Sequence, residues 1–230
     1  DSYLSVAESI KHGGFANGCK VEVAFIDCEG ITKENAKERL GRYSGIIVPG
    51  GFGNRGIEGK IATVQYAREN KIPFLGICLG MQMAVVEFAR HILGYEDANS
   101  EEFDETTKHP VIHIMEDQIH VAKKGGTMRL GAYPCHIQKG SLAEKVYGSL
   151  EISERHRHRF EYNNDYREEM EKKGLICSGL SPDGSLVEIV ELKNHPYFIA
   201  AQFHPEFQSR PDRPQPLFVN LVKAAKANKR

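Results

Sequence analysis

Apolar residues recur at two spacings along the chain, and in its first half the two alternate. Leu4, Val6, Ala7 and Ile10 stand at helical spacing, with Gly13-Gly14 as the expected stop. Val21, Val23 and Phe25 alternate with their neighbours and predict a strand running to Asp27. Thr32 is placed to cap a short helix ending at Leu40. The apolar run at 45–48 is too short for a helix and predicts a buried strand, followed by the tight loop Pro49-Gly50-Gly51-Phe52-Gly53. A helix at 57–69, a strand at 74–77 and a helix at 79–91 come next. Strand and helix in alternation predict a mainly parallel sheet with helices on both faces.

The second half changes character. Strands are expected at 111–115, 175–180, 186–192 and 198–203, short sheet at 129–137, and helices at 166–173 and 217–227. Lys123-Lys124-Gly125-Gly126 reads as a loop, and Ser181-Pro182-Asp183-Gly184 as a strong turn between two strands. Residues 99–108 are acidic and polar, as a surface loop would be. The fold class is therefore α/β: a mainly parallel central sheet flanked by helices, with antiparallel additions in the second half. No repeat or linker divides the chain, so one domain over 1–230 is the economical reading.

Composition narrows this picture without altering it. The 230 residues are 40% hydrophobic and 27% charged, with a formal net charge of −1. That balance gives no global pull toward nucleic acid or an anionic membrane. The most apolar window, 74–89, is broken by Gln82 and Glu87 and is too short to span a bilayer. Residues 1–10 carry neither a basic start nor an apolar core, so no secretion signal is expected there. The five cysteines, Cys19, Cys28, Cys78, Cys135 and Cys177, are odd in number and nowhere spaced C-x-x-C. This disfavours a disulfide framework or zinc site and suits a reducing, cytoplasmic compartment. His109, His113, His120 and His136 show no metal-ligand spacing, so no metal is expected.

The candidate chemistry lies in three places. Gly76-Ile77-Cys78-Leu79-Gly80 joins a buried strand to a helix, and such a turn presents its central side chain at the carboxyl edge of the sheet. A thiol there sits at a helix N-terminus, which favours the thiolate; the bland alternative is a buried structural cysteine. Gln202-Phe203-His204-Pro205-Glu206 ends the last strand. In extended chain His204 and Glu206 would share a side, the carboxylate fixing the imidazole tautomer, unless they are only a surface ion pair. The third place is the loop at 49–53. Its glycines let a backbone N–H of Gly50 or Gly51 join that of Leu79 in an oxyanion hole, unless the loop is a plain βα turn. It lacks the Lys and Ser/Thr of a phosphate-binding P-loop.

Gly-Gly loop, Gly-x-Cys-x-Gly turn and His-x-Glu pair, in this order, resemble the class I glutamine amidotransferases. Further segments sharpen the likeness: PGGFGNRG (49–56), GICLGMQ (76–82), Ala89-Arg90-His91, NSEEF (99–103), GGTMRLG (125–131), RHRHRFEY (155–162) and HPYFIAAQFHPEFQSR (195–210). Together they look like the glutaminase domains of the CTP synthase family, over nearly the whole chain. The resemblance implies that Cys78 attacks the side-chain amide of L-glutamine, that His204 handles protons and that Glu206 orients His204. It implies substrate contacts at Phe52, Gln82, Glu102 and Arg159. A carboxylate at Glu102 suits the α-ammonium of glutamine, and a guanidinium at Arg159 its α-carboxylate. Glu101 rivals Glu102, and the spacing to Phe103 favours Glu102. Arg55 sits in a lid from Gly53 to Gly56, which the resemblance implies takes part in GTP activation, and is a weaker candidate.

By the same resemblance the ammonia passes to an amidoligase domain N-terminal in the same polypeptide, for ATP-dependent amination of UTP to CTP. ATP, Mg and a GTP effector belong to that full-length enzyme, expected as a homotetramer; this domain itself needs no cofactor. The family pattern also expects a strand before Asp1 and several more residues between Met115 and Gly126. Three other readings stay open: the glutaminase domain of another class I amidotransferase, a non-catalytic regulatory domain of the same fold, and a cysteine hydrolase of peptidase or chaperone type. The run Arg155-His156-Arg157-His158-Arg159 could be a solvated surface or a nucleic-acid contact. With no basic excess, the better reading puts Arg159 in a carboxylate pocket and its neighbours at a domain or lid contact.

Overall fold

The computed structural model describes residues 3–114 and 128–228. The expected loop at 123–126, the short segment at 115–126 and His120 lie outside the described residues. The first strand and helix to follow the amino-terminal helix α1 (Leu4–Ala16) and the short α2 (Ala36–Leu40) are β1 (Ile46–Val48) and α3 (Ile57–Glu69). Then come β2 (Phe74–Ile77) and α4 (Leu79–Phe88), which continues as a π-helical turn over Ala89–Leu93. The second half contains β3 (Asn99–Ser100), β4 (Pro110–Ile114), β5 (Arg129–Ile137), α5 (Leu142–Tyr147), β6 (Glu151–His158), β7 (Phe160–Tyr162), α6 (Arg167–Lys173), β8 (Leu175–Leu180), β9 (Val187–Leu192), β10 (Phe198–Ala201) and α7 (Pro216–Ala227).

Seven strands form the main sheet in the order β1-β2-β10-β9-β8-β5-β6, and β3-β4-β7 form a small second sheet. β1, β2 and β10 run parallel, while β9, β8, β5 and β6 continue antiparallel. The expected α/β sheet with antiparallel additions is present, and its parallel part is confined to three strands among the described residues. Those three are buried on both faces, as parallel strands must be. Phe74, Phe198 and Ala200 face the core shared with α3 and α4. Leu75, Ile77, Ile199 and Ala201, one residue out of step, face the core of α1 and α7. Phe74 and Phe198 stack at 4.5 Å across the first core. Each such fully buried side chain contributes on the order of 2–3 kcal/mol.

Some expectations are corrected. Residues 21–27 form no strand: no described strand pairs with them, and Phe25 is 68% exposed. The alternation is real, but a strand requires a neighbouring edge for its backbone groups. Gly13-Gly14 does not end α1. A Cβ on Gly13 would lie 2.8 Å from the Phe218 carbonyl oxygen, so this glycine is there for close packing of α1 on α7. The 99–108 segment is only partly a surface loop, because Asn99–Ser100 pairs with β4 and Ser100 is fully buried. Thr32 stands four residues before α2, exchanging hydrogen bonds with Asn35 instead of capping the helix directly. Unforeseen elements are α5, β6 and β7. α5 carries a legible signal, since Ser141 Oγ accepts from Glu144 N at 3.0 Å and the Glu144 carboxylate reaches back to Gly140 N.

Candidate active site

Three loops meet where the parallel strands end. β1 leads into Pro49-Gly50-Gly51, β2 into Cys78, and β10 into Gln202-Phe203-His204. Because β1, β2 and β10 are parallel neighbours, their carboxyl ends lie side by side, and residues far apart in sequence come together.

Cys78 has φ 51° and ψ −104°, a left-handed φ that a residue with a side chain adopts at a cost of about 1–3 kcal/mol. The neighbouring elements hold it there. Its N–H donates to Ala201 O at 2.7 Å, and its carbonyl accepts from Met81 N at 3.0 Å as α4 begins. Glycine on either side makes the turn close. A Cβ on Gly76 would come within 2.8 Å of Gly80 O and of Ala200 Cβ, and one on Gly80 would run into Val48 O. The thiol is thus buried at the N-terminus of α4. Gln202 Nε2 lies 3.7 Å from the sulfur and Arg157 O lies 3.9 Å from it.

His204 Nδ1 and Glu206 Oε1 are 2.8 Å apart. The pairing expected from sequence is present, but a turn makes it: β10 stops at Ala201, and Pro205–Gln208 form a 3-10 turn. His204 N also donates to Arg155 O at 2.8 Å, which ties this turn to β6. Burial opposes a charge on the His204 ring, but Cys78 and Glu206 outweigh it and raise the ring to about 10. The imidazolium form therefore predominates at neutral pH. Gly50 packs on the same ring, where a Cβ would lie 2.8 Å from His204 Cε1, and Gly51 sits 3.4 Å from Leu79 Cδ2 on the same measure. The glycine loop, the cysteine turn and the histidine turn thus converge.

The remaining candidates divide. Glu102 is half-buried; burial raises its carboxyl above the usual range, against a backbone hydrogen bond from Gly53 and the nearby charge of Arg159. Glu101, its rival, accepts from Ile114 N at 3.0 Å and so serves the small sheet. Gln82 is buried, and its amide nitrogen is already shared between Phe160 O at 3.1 Å and Gln202 Oε1 at 3.3 Å. It therefore braces Gln202 beside Cys78. Gln202 has no role in the sequence reading; its signal was its place at the end of β10, two residues before the histidine. Phe52 is exposed, with the Arg157 guanidinium 5.5 Å from its ring centroid. Arg55 is exposed and paired with Glu29 at 2.8 Å.

The arginine-histidine run is a two-faced strand. His156 and His158 point inward from β6, and Arg155 and Arg157 point outward. With Glu188, the two histidines form the cluster of ligand-type atoms found among the described residues, all within 4.8 Å of one another. His156 Nδ1 and His158 Nε2 share a hydrogen bond at 2.9 Å, and the Arg129 guanidinium is bound to Glu188 Oε1 at 2.5 Å. His156 Nε2 and Glu188 Oε2 lie 3.6 Å apart, both buried without a hydrogen bond. Burial, aided by Arg129, pushes His156 down to about 2 and His158 to about 3, so both rings are neutral.

Comparison with known proteins bears on this geometry. The family model for glutamine amidotransferase class-I matches residues 1–224. The CTP synthase of Syntrophus aciditrophicus is 58% identical over 225 residues, which are 98% of this chain and 42% of that protein. The CTP synthase of Fibrobacter succinogenes is 59% identical over 232 residues, 100% of this chain and 41% of that protein. The chain thus spans about two fifths of the length of these relatives. Among solved structures, the glutaminase domain of Trypanosoma brucei CTPS with bound acivicin superposes with a TM-score of 0.92. It is 42% identical, and the match covers 99% of this chain and 89% of that one.

Proposed function

The chain belongs to the class I glutamine amidotransferases, and from that premise we propose that Cys78, His204 and Glu206 hydrolyse L-glutamine to glutamate and ammonia. The observation that carries the reading is the convergence of a strained, buried Cys78 with the 2.8 Å His204–Glu206 pair. In the first half-reaction the Cys78 thiolate attacks the side-chain amide carbon. The oxyanion that forms is held by backbone N–H groups of the Gly50-Gly51 loop and of Leu79. The imidazolium of His204 gives its Nε2 proton to the departing nitrogen, the C–N bond breaks, and ammonia leaves behind a glutamyl thioester. In the second half-reaction His204 takes a proton from water, hydroxide adds to the thioester, and glutamate departs as the thiolate re-forms. Glu206 keeps the Nδ1 proton in place throughout. Glu102 receives the α-ammonium and Arg159 the α-carboxylate, an assignment supported by their charges and by their mutual proximity. Phe52 and Gln82 complete the pocket, Phe52 as its exposed wall and Gln82 by bracing Gln202.

The relatives extend well beyond this chain, and we assign the ammonia to a synthetase portion of a longer polypeptide, where it would aminate UTP to CTP. ATP and Mg would serve that portion, and GTP would act as an effector with Arg55 near its site of action. A homotetrameric assembly in a reducing cytoplasm fits this role. No described helix is long and apolar enough to cross a membrane, and all five cysteines are free.

The test is Cys78→Ala in the full-length polypeptide. Glutamine-dependent CTP formation is expected to disappear while ammonia-dependent formation continues. Loss of both activities in a folded variant would refute this division of labour. Retained glutamine use would remove Cys78 from the reaction.

A further inference from the structure

Glu154 belongs to none of the motifs, yet it is 4% exposed and carries three hydrogen bonds. Tyr147 Oη donates to its Oε1 at 2.9 Å, Gln215 Nε2 to the same oxygen at 2.8 Å, and Gln208 Nε2 to its Oε2 at 2.8 Å. These donors come from α5, from the N-cap of α7 and from the Pro205–Gln208 turn. All three give a proton, so the group between them must be acceptor-only, as an ionised carboxylate is.

The Gln208 link matters most, because Gln208 shares its turn with Glu206. Gln208 Nε2 also reaches Ser153 O at 2.7 Å, and His204 N bonds Arg155 O at 2.8 Å. Residues 153, 154 and 155 of β6 thus grip the turn at both ends. α1 also touches the turn: Ser9 Oγ reaches Glu206 O at 3.4 Å, and His12 Nδ1 lies 2.9 Å from Ser209 Oγ at its far end. Glu206 Oε2 is buried without a hydrogen bond of its own, so the place of the carboxylate under the imidazole depends on how the turn is held.

We propose that Glu154 is a positioning residue for glutamine hydrolysis: acting through Gln208, it holds the Pro205–Gln208 turn so that the Glu206 carboxylate stays aligned on His204 Nδ1. This rests on the triad reading given above. Glu154 touches neither substrate nor sulfur and acts only through that turn.

The alignment carries a pH dependence. Burial lifts Glu154 to about 6, against the three hydrogen bonds, with the like charge of Glu206 adding to the rise. Facing it are Tyr147 from α5, Glu206 and Gln208 from the turn, Gln215 at the start of α7, and the Cys135 thiol of β5. Protonation puts a hydrogen on an oxygen that must accept, and one donor then loses its partner. The turn therefore loosens as pH falls through about 6. Glu154→Gln mimics the protonated form, because its amide must turn NH2 toward a donor on one side or the other.

The experiment measures kcat and KM for glutamine hydrolysis from pH 5 to pH 9 in the full-length polypeptide, with Glu154→Gln and Gln208→Ala. Gln208 is partly exposed, so its truncation spares the core should Glu154→Gln fail to fold. The expected result is a kcat about 10-fold lower at pH 8, as a small misplacement of a proton-handling group produces. KM is expected within about twofold of the wild-type value, since Glu102 and Arg159 lie outside this network. The acid limb near pH 6 is expected to flatten in both variants. Unchanged kcat and an unchanged limb would overturn the proposal, as would an equal fall of kcat across all pH with a raised KM, the mark of a merely loosened fold. A wild-type enzyme that releases no glutamate would instead overturn the triad reading.

Discussion

His204 lies between a thiol and a carboxylate, and its charge state follows from that position. The ring is raised from its ordinary value to about 10, so it holds its proton across neutral pH. The sign of the linked stability follows from the raised value. The stabilisation from the charged ring is fully present below the unfolded pKa of about 6.5 and is lost as pH rises through about 10. Urea midpoints at pH 7 and pH 10.5 should differ in that direction, and by less in His204→Asn. At this scale the sequence was most legible. Cys78, His204 and Glu206 stood in short motifs that could be read as chemistry before their meeting was seen. Gln202 and Glu154 were not legible, because their roles lie in partners distant along the chain: the Cys78 sulfur for one, Gln208 and Gln215 for the other.

Between elements, the clearest polar tie joins α3 to α4. Glu87 is fully buried on α4 and takes the Arg68 guanidinium of α3 at 2.7 Å, with His91 Nδ1 at 3.0 Å on the same oxygen. Arg68→Ala would leave a buried carboxylate with only the histidine, and it should cost about 3 kcal/mol in urea unfolding. The paired replacement Arg68→Met with Glu87→Leu should recover most of that loss, because it removes the buried charge altogether. If the single change is silent, the pair is not what joins the helices. Periodicity identified the long helices and buried strands because their apolar spacing is a local property. It failed at 21–27, where the alternation finds no described strand to pair with, and at Gly13-Gly14, where glycine allows two helices to approach instead of ending one. β6 escaped notice because five charged or ionisable residues in succession read as surface. Every second one is in fact buried, and His156 Nδ1 is paired with His158 Nε2.

In the whole molecule, the parallel strands β2 and β10 lie between two cores, one on α3 and α4 and the other on α1 and α7. Their amides should exchange with solvent only on global unfolding, while those of residues 21–27 exchange orders of magnitude faster. Hydrogen exchange read by mass spectrometry would show it; comparable protection in both segments would mean that 21–27 is paired after all. The near-zero net charge told little, because the charges that meet in the structure do so as individual pairs: Glu102 near Arg159, Glu206 under His204, Arg129 beside Glu188. The sequence by itself determined the α/β alternation and the three chemical motifs, since turn geometry, glycine content and apolar period are properties of a few consecutive residues. Only the tertiary structure decided that β1, β2 and β10 lie adjacent and parallel, which brings those motifs to one edge. It alone decided that Arg129 pairs with Glu188 beside the two histidines and that β6 grips the histidine turn. These are contacts between segments tens of residues apart, set by sheet order and by which face of each strand is buried, and no local spacing encodes them.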